Sequence, residues 1–447
     1  MENALKVNRK TALRTATLLL FRTQMMYLNK RITKNRASVL ALGALLFLHA
    51  QATSAEDLVY EIEAFFAPNA NKPTENIFKN TTPISSICRV HIPAQCQSLN
   101  IFSLRFDGFA ADSTGPFLAN HTNPREGAMF KVPSTFKDVV VNHVGTNRTE
   151  VVQMRIAGVG SSWRMPRPPG VSAWGLGEGG AGWDQQWREA PSPCMRTGHL
   201  AAGVQDASFF WIVPEGAGAC SRQPTMDVNW FTLRSLEFAY ELKTPNPLGM
   251  ADGQYTGSTS YSVGRGNDFD FGDLMNVVSG NTFNFNFTLT VEHQLKIEVP
   301  PGGNKVELVP QGGWQAWLNQ GRKPTRLFRD QTFSISSSSA FKMTLECQHQ
   351  ADNTCALKDP VSDQTVALDI AVSLPYGLNS RGGEAVKSRP LRLDGVGTDF
   401  FQPAFYVSRG EGTLHFEVGR DEVEKMLVSG VTNTYSGDVT VIWDSEV

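Results

Sequence analysis

Residues 283–291, FNFNFTLTV, alternate apolar and polar side chains without interruption. Successive side chains of a β-strand point to opposite faces, so the phenylalanines, leucine and valine would share one face and the amides and hydroxyls the other. This pattern is typical of an antiparallel strand that has one face in a core and the other in water. The segment therefore predicts a half-buried strand of a β-sandwich.

The same period of two recurs along the chain, mostly after this segment. The segments that share it are 295–299, 341–347, 366–374, 414–418 and 439–443. Helical periodicity is scarce, and only 421–427 (DEVEKML) favours a short helix. The 39 glycines and 24 prolines, with 19% charged residues, agree with a turn-rich and strand-rich chain. We therefore predict an all-β fold of two Ig-like β-sandwich domains in tandem.

The first 55 residues differ in charge from the rest, because they hold nine basic residues and one acid. Behind the basic stretch lies an apolar run at 39–48, VLALGALLFL, too short to span a membrane comfortably as a helix. Small residues of the kind that signal peptidase reads follow at 52–55. We predict a secretory signal peptide over residues 1–55. Met25 or Met26 is an alternative initiator methionine, and an uncleaved membrane anchor is the alternative to a cleaved signal.

Removal of residues 1–55 would leave 392 residues with 32 basic and 42 acidic side chains, a net charge of −10. Nucleic acid and anionic membrane surfaces are therefore not expected as partners. A boundary between the strand ending at Val291 and the one starting at Leu295 predicts two domains, 56–292 and 293–447.

Six cysteines remain in the exported chain, an even number that allows 15 pairings. They are Cys88, Cys96, Cys194, Cys220, Cys347 and Cys355. An oxidising compartment and the shortest possible loops favour three disulfides between sequence neighbours. Zinc sites use closely spaced Cys-x-x-Cys pairs, and the sequence has none.

The sequence motifs do not indicate catalysis or cofactor binding. The glycine-rich run 175–180, GLGEGG, matches a dinucleotide fingerprint, but it follows Arg-Pro-Pro and precedes Ala-Gly-Trp instead of joining a strand to a helix. The histidines lack metal-ligand spacing, and there is no Gly-x-Ser-x-Gly elbow. We predict no catalytic, cofactor or metal residue and no enzyme activity. A secreted glycan-active enzyme stays as an alternative, because its two carboxylates can come from anywhere in a sequence.

The order and spacing of several segments resemble the two-domain tip subunits of class 5 fimbriae, the colonization-factor and cable-pilus type assembled by the alternate chaperone–usher pathway. The resemblance spans nearly the whole exported chain. The segments that carry it are Cys88 to Cys96, Cys194 to Cys220, 255–259 (YTGST), 341–347 (FKMTLEC) and 435–443 (YSGDVTVIW).

This resemblance implies a receptor-binding adhesin domain at 56–292 and a pilin domain at 293–447 whose incomplete fold is completed by a donor strand. The implied partners are a periplasmic fimbrial chaperone, an outer-membrane usher, the major pilin subunit that donates the strand, and a host glycan or glycoprotein receptor. The chain would be exported through the periplasm to the fimbrium tip. Because the first domain consumes the segment before the pilin domain, no N-terminal strand would be left to donate. A structural minor pilin without receptor activity is the alternative.

The chain departs from the family pattern where well-known members carry an arginine cluster suited to sialylated ligands. The corresponding strand reads ELKTP at 241–245, so the arginine pair is absent and Lys243 is most simply a solvated surface lysine. A second candidate surface flanks the glycine-rich run, although core tryptophans and a plain loop are the preferred interpretation. Its residues are Arg155, Arg164, Arg167, Trp163, Trp174, Trp183 and Trp187. We therefore assign no receptor-binding residue.

Overall fold

The computed structural model describes residues 58–166, 173–174, 185–202, 206–427 and 433–445. The predicted signal peptide, residues 1–55, and the glycine-rich run 175–180 lie outside these residues. Within the described part, no helix is long and apolar enough to cross a membrane.

The fold is all-β, as the sequence predicts. Among the described residues of the first half are fourteen strands and the helix α1 (Pro93–Leu99). The strands are β1 Leu58–Phe66, β2 Lys79–Asn80, β3 Ile101–Phe106, β4 Ala111–Ser113, β5 Ala128–Phe130, β6 Lys137–His143, β7 Thr149–Arg164, β8 Met195–Ala202, β9 Asp206–Ile212, β10 Cys220–Arg222, β11 Thr232–Lys243, β12 Gly253–Ser262, β13 Met275–Val277 and β14 Thr282–Val291.

The part of the second half that the structure describes contains twelve strands and two short helices, α2 (Gln315–Gln320) and α3 (Arg420–Met426). The strands are β15 Leu295–Glu298, β16 Val309–Pro310, β17 Leu327–Ser337, β18 Lys342–Cys347, β19 Gln350–Ala351, β20 Thr354–Lys358, β21 Thr365–Ser373, β22 Leu378–Ser380, β23 Arg389–Pro390, β24 Phe401–Pro403, β25 Val407–Val418 and β26 Val439–Asp444.

One large sheet dominates the first half, in the order β13-β4-β11-β7-β6-β12-β14-β1-β2. Strand β3 joins the sheet by pairing with β11, β9 joins it by pairing with β7, and β8 pairs with β9. The alternating segment 283–291 lies in β14, and its five apolar side chains are all at most 1% exposed. Burying phenylalanines on one face of a strand stabilises each by roughly 1.5–3 kcal/mol, so β14 anchors the first core.

A separate apolar core lies in the second half, between the sheet β15-β17-β25-β21-β20-β19 and the pair β18-β26. Its buried side chains run from Leu327 to Val441, whereas the first core runs from Ile62 to Val291. Both cores lie within one compact unit. We propose the division at 292/293, between the last strand of one core and the first strand of the other.

Three disulfides join the cysteines that are neighbours in sequence, which confirms the predicted pairing. Cys88 bonds to Cys96, Cys194 to Cys220, and Cys347 to Cys355. The Cα atoms of each pair are 5.4–5.9 Å apart.

The predicted helix at 421–427 is confirmed as α3, but the expectation that helix is confined to this segment was wrong. A π-helical turn at Ile87–His91 runs into α1, which has a proline in its first turn, and the Cys88–Cys96 disulfide ties the two together. Helices of one or two turns are marginal on propensity alone, and here the covalent bond and tertiary packing stabilise them. Such support leaves little periodic signal in a sequence.

Candidate functional site

The second sandwich has the strand arrangement of an immunoglobulin domain that lacks one strand. In such a domain, strands A, B, E and D form one sheet and C, F and G the other. Here β15-β17-β25-β21 follow the order A-B-E-D, and β18 and β26 occupy the positions of C and F. No strand in the described residues occupies the position of G.

The missing position leaves one edge of β26 open. Strand β26 pairs in register with β18, from Lys342 opposite Asp444 to Cys347 opposite Val439. The edge of β18 that faces away from β26 also makes a backbone hydrogen bond, because Met343 N donates to Thr398 O at 2.9 Å. Strand β26 has no second strand partner among the described residues. Its outer backbone N–H and C=O groups are therefore available to an added strand.

Apolar side chains lie below this edge and are only partly covered. Trp443 of β26 is half-buried, and its ring lies 5.0 Å from that of Phe333 and 5.7 Å from that of Phe341. On the opposite sheet, Leu295 and Ile297 of β15 are also half-buried against the second core. An added strand that places apolar side chains inward would cover these groups.

A cleft of about 390 Å³ opens where β15 leaves β17. Its lining includes Val299, the buried Phe333 and the charged residues Glu298, Arg409 and Glu411. The hydrogen bond from Lys296 holds the pKa of Glu298 below its ordinary value, so this carboxylate is ionised at neutral pH. The cleft thus has an apolar floor and a charged rim.

The first strand of the described residues is already used inside the first sandwich. Strand β1 pairs in parallel with β14 over its full length, from Leu58 opposite Phe283 to Phe66 opposite Val291. Ile62, Ala64 and Phe66 point into the first core and are at most 4% exposed. This strand is therefore an integral part of its own domain.

The tryptophans near the glycine-rich run are core residues, which confirms the preferred interpretation. Trp163, Trp174 and Trp187 are at most 4% exposed. The ring of Trp187 stacks on Trp211 at 5.4 Å, and Trp211 Nε1 donates a hydrogen bond to Trp187 O at 3.0 Å. The surface alternative is wrong for these three rings. Trp183 and Arg167 lie outside the described residues.

Two of the candidate cations are committed to neighbouring groups. Arg155 is 12% exposed, donates from Nε to Glu241 Oε2 at 2.7 Å, and donates from Nη1 to Val213 O at 3.0 Å. The ammonium of Lys243 lies 3.6 Å from the ring centre of Phe136, a cation–π contact. Lys243 is an exposed surface lysine, as the sequence suggested, and its ammonium also contacts an aromatic ring.

Ionisable side chains do not gather into a metal centre within the described ranges, where no group of three or more His, Cys, Asp or Glu side chains is placed to hold an ion. The open edge of β26 is the feature that sequence reasoning could not locate, because it depends on the pairing of strands that are about a hundred residues apart in sequence.

No protein-family model matches the sequence, and no curated protein matches it. Among solved structures, one match is a chaperone–tip adhesin complex of CFA/I fimbriae biogenesis, at 9% identity over 88% of this chain and 98% of that one, with a TM-score of 0.22. Another is a mutant of CfaE, the CFA/I adhesin of enterotoxigenic E. coli, at 9% identity over 88% and 99%, with a TM-score of 0.20. A third is the CsuC–CsuE chaperone–tip subunit pre-assembly complex of archaic chaperone–usher Csu pili from Acinetobacter baumannii, at 9% identity over 88% and 98%, with a TM-score of 0.19. Each neighbour contains an adhesin subunit of a surface fibre, in two cases with its chaperone.

Proposed function

We propose that this chain is a fimbrial tip adhesin and pilus-assembly initiator. The observation that carries the proposal is the open edge of β26 beside partly covered apolar side chains. A sandwich without its last strand exposes hydrogen-bonding groups and core side chains, an aggregation hazard that a strand from another chain removes. The donor would be the N-terminal strand of the major pilin subunit.

Strand β1 supports a position at the end of a fibre. A subunit in the middle of such a fibre needs a free N-terminal strand to pass to its neighbour. In this chain that strand is paired with β14 along nine residues and has its apolar face in the first core. The chain would therefore accept one strand and donate none, and so cap the fibre.

The remaining partners follow from this role. A periplasmic chaperone would cover the open edge before assembly, and an outer-membrane usher would exchange it for the major pilin. The first sandwich would meet a host glycan or glycoprotein at the fimbrium tip. The role is that of a binding and assembly protein and not of an enzyme.

The test is to add the missing strand in cis. The exported chain, 56–447, is extended after Val447 by a short linker and the N-terminal strand of the major pilin. Six residues of β26 expose about three N–H and three C=O groups on the open side, at roughly 0.5–1.5 kcal/mol for each hydrogen bond formed. Even the low end, about 3 kcal/mol, should raise the Tm of the second sandwich by about 6–12 °C.

The control carries the same linker and strand with its inward apolar residues changed to serine. It should give a smaller rise than the extended chain, because it keeps the backbone hydrogen bonds but loses the added stabilisation from covering the apolar groups. Equal Tm values for the extended chain, the control and the unextended chain would refute the missing-strand reasoning.

Receptor binding is tested separately on the extended chain, with a glycan and host-protein array and with whole host cells. Saturable binding that free glycan or soluble host protein blocks would support the adhesin role. A chain that is stabilised by the donor strand but binds no host surface would instead be a structural minor pilin.

A further inference from the structure

His293 lies between the last strand of the first sandwich and the first strand of the second, and it contacts both. Its Nε2 is 3.0 Å from Met250 O, and its backbone N–H donates to Asp252 Oδ1 at 2.7 Å, both in the first sandwich. Its Nδ1 is 3.1 Å from Ser338 Oγ, in the second. One imidazole thus joins the two cores.

The partners fix the protonation state of the ring. A backbone carbonyl only accepts, so Nε2 must carry the hydrogen that bonds to Met250 O. The lone pair of Nδ1 then accepts from the Ser338 hydroxyl, which is fully buried and also accepts from Gln294 N at 2.9 Å. The contact is complete when the imidazole is neutral.

A second set of contacts at the joint, the junction of the two sandwiches around His293, is uncharged. Tyr406 of the second sandwich donates from its hydroxyl to Gln294 Oε1 at 2.6 Å and from its backbone N to Pro73 O at 3.1 Å. The ring of Phe66 lies 5.8 Å from that of His293. The Tyr406 contacts do not change with pH near neutrality, so the imidazole is the titrating part of the joint.

The charged groups around the ring are few. From the loop before β12, Asp252 faces His293; the contacting residues from β1 and from the turn after β17, Phe66 and Ser338, are uncharged. Glu292 precedes His293 in the chain and is exposed. Burial lowers the pKa of His293, against smaller opposing effects of the Met250 carbonyl and the Asp252 charge.

We propose that His293 makes the connection between the two sandwiches pH-sensitive, closed when the imidazole is neutral and loosened when it is protonated. Protonation puts a hydrogen on Nδ1, which then faces the hydroxyl hydrogen of Ser338. In the closed joint, either the buried hydroxyl hydrogen of Ser338 then loses its acceptor or the ring moves out of its place. The imidazolium is also less well hydrated in the closed joint than in water. Opening the joint removes both costs.

The size of the effect follows from linkage. In the open joint the imidazole has its ordinary pKa, about 6.5, and in the closed joint a lower one. Below about pH 6.5 the ratio of open to closed joints rises by up to tenfold for each unit by which the pH falls, until the pH reaches the lower pKa of the closed joint. Above about pH 6.5 the joint should not respond to pH.

The Glu292–His293 peptide bond offers a direct measurement. A glutamate-specific protease cleaves after Glu292 only where the linker is released, so we compare its cleavage rate at about pH 7.5 and about pH 5.5, normalised to a flexible glutamate peptide. The exported chain should be cleaved up to about tenfold faster at the lower pH. Circular dichroism should stay unchanged, which separates joint opening from unfolding.

His293→Gln keeps a donor and an acceptor but does not titrate, so its cleavage rate should be independent of pH. Ser338→Ala removes the hydroxyl that opposes protonation and should weaken the response. The matched control is His415→Gln, since His415 bridges Ser373 Oγ and Asp330 Oδ1, both at 2.8 Å, inside one sheet. It should respond as the unchanged chain does.

A cleavage rate that does not change with pH in the unchanged chain, or that changes equally in His293→Gln, would overturn the proposal. A joint that stays closed in acid would contradict the pH-sensitive connection but not the proposed fimbrial function, because that function rests on the open edge of β26 and not on His293.

Discussion

Arg125 holds two carboxylates of one loop, and its removal should destabilise the first sandwich. Its Nη1 donates to Asp270 Oδ2 at 2.7 Å, and its Nε and Nη2 donate to Asp273 Oδ1 at 3.0 and 2.9 Å. The bonds to Asp273 and Asp270 raise the pKa of Arg125, so the guanidinium stays charged at any working pH. The Asp270 side chain is 1% exposed, whereas Asp273 is 37% exposed.

The magnitude follows from what Arg125→Met leaves behind. Breaking a buried ion pair by removing one partner costs about 3–5 kcal/mol, because the other charge stays buried. Asp270 keeps one compensating bond, from Gly272 N at 3.0 Å, and the Arg125 side chain is 35% exposed, so water can reach part of the site. We therefore expect the low end, about 3 kcal/mol, or a fall in Tm of roughly 6–12 °C for a domain of this size.

The assay is urea unfolding of residues 56–447 followed by tryptophan fluorescence, since most of the tryptophans lie in the first half. Arg125→Met combined with Asp270→Asn should lose less than Arg125→Met alone, because no buried charge is left without a partner. Arg196→Met is the control: Arg196 pairs with Glu189 at 2.7 Å with both side chains exposed, and such pairs contribute about 0–1 kcal/mol. A loss below about 1 kcal/mol for Arg125→Met, or no recovery in the double variant, would refute the reasoning.

Two further predictions concern cross-links and tyrosines. Replacing Cys194 and Cys220 by serine opens a loop with a sequence separation of 26 and should lower the free energy of unfolding by about 3.5 kcal/mol, against about 2.5 kcal/mol for either loop with a separation of 8. Urea unfolding of the three double-serine variants measures these losses of stability. A larger loss from one of the short loops would contradict the prediction. Burial raises the pKa of Tyr240 and of Tyr261 to about 12, so both phenols stay protonated in the folded chain beyond their ordinary value of 10. Their stabilising effect is fully present below pH 10 and is lost as pH rises from about 10 to about 12; an ultraviolet titration in which every tyrosine of the folded chain ionises near pH 10 would disprove it.

The strands of the second sandwich could be predicted because each has one face in a core. Residues 366–374 become β21 and residues 439–443 become β26, each within two residues of the predicted bounds. A period of two in the sequence is a direct record of that one-sided burial. The cysteine pairs were equally local, with at most 26 residues between partners.

Features that depend on distant pairing could not be predicted. The residues of β1, LVYEIEAFF, suit a strand, but nothing in them shows that the partner is β14, more than two hundred residues away, or that the pairing is parallel. The aromatic environment of Lys243 is likewise a tertiary contact with Phe136. Residue type alone gave Trp163 two interpretations, and only its complete burial decides between them.

Strand β1 and strand β26 differ in how readily they can pair with another chain, and this difference would give the proposed fibre its polarity. Withdrawing β1 for donation would expose Ile62 and Phe66, each 1% exposed, at about 1.5–3 kcal/mol per side chain, and would break a nine-residue ladder with β14. Adding a strand to β26 breaks no ladder among the described residues and covers Trp443, Leu295 and Ile297. Donation is thus opposed by the first core while acceptance is favoured by the second. In the proposed fibre, a chain built this way would be joined to others through its C-terminal sandwich, and the first sandwich would be free at the end of the fibre.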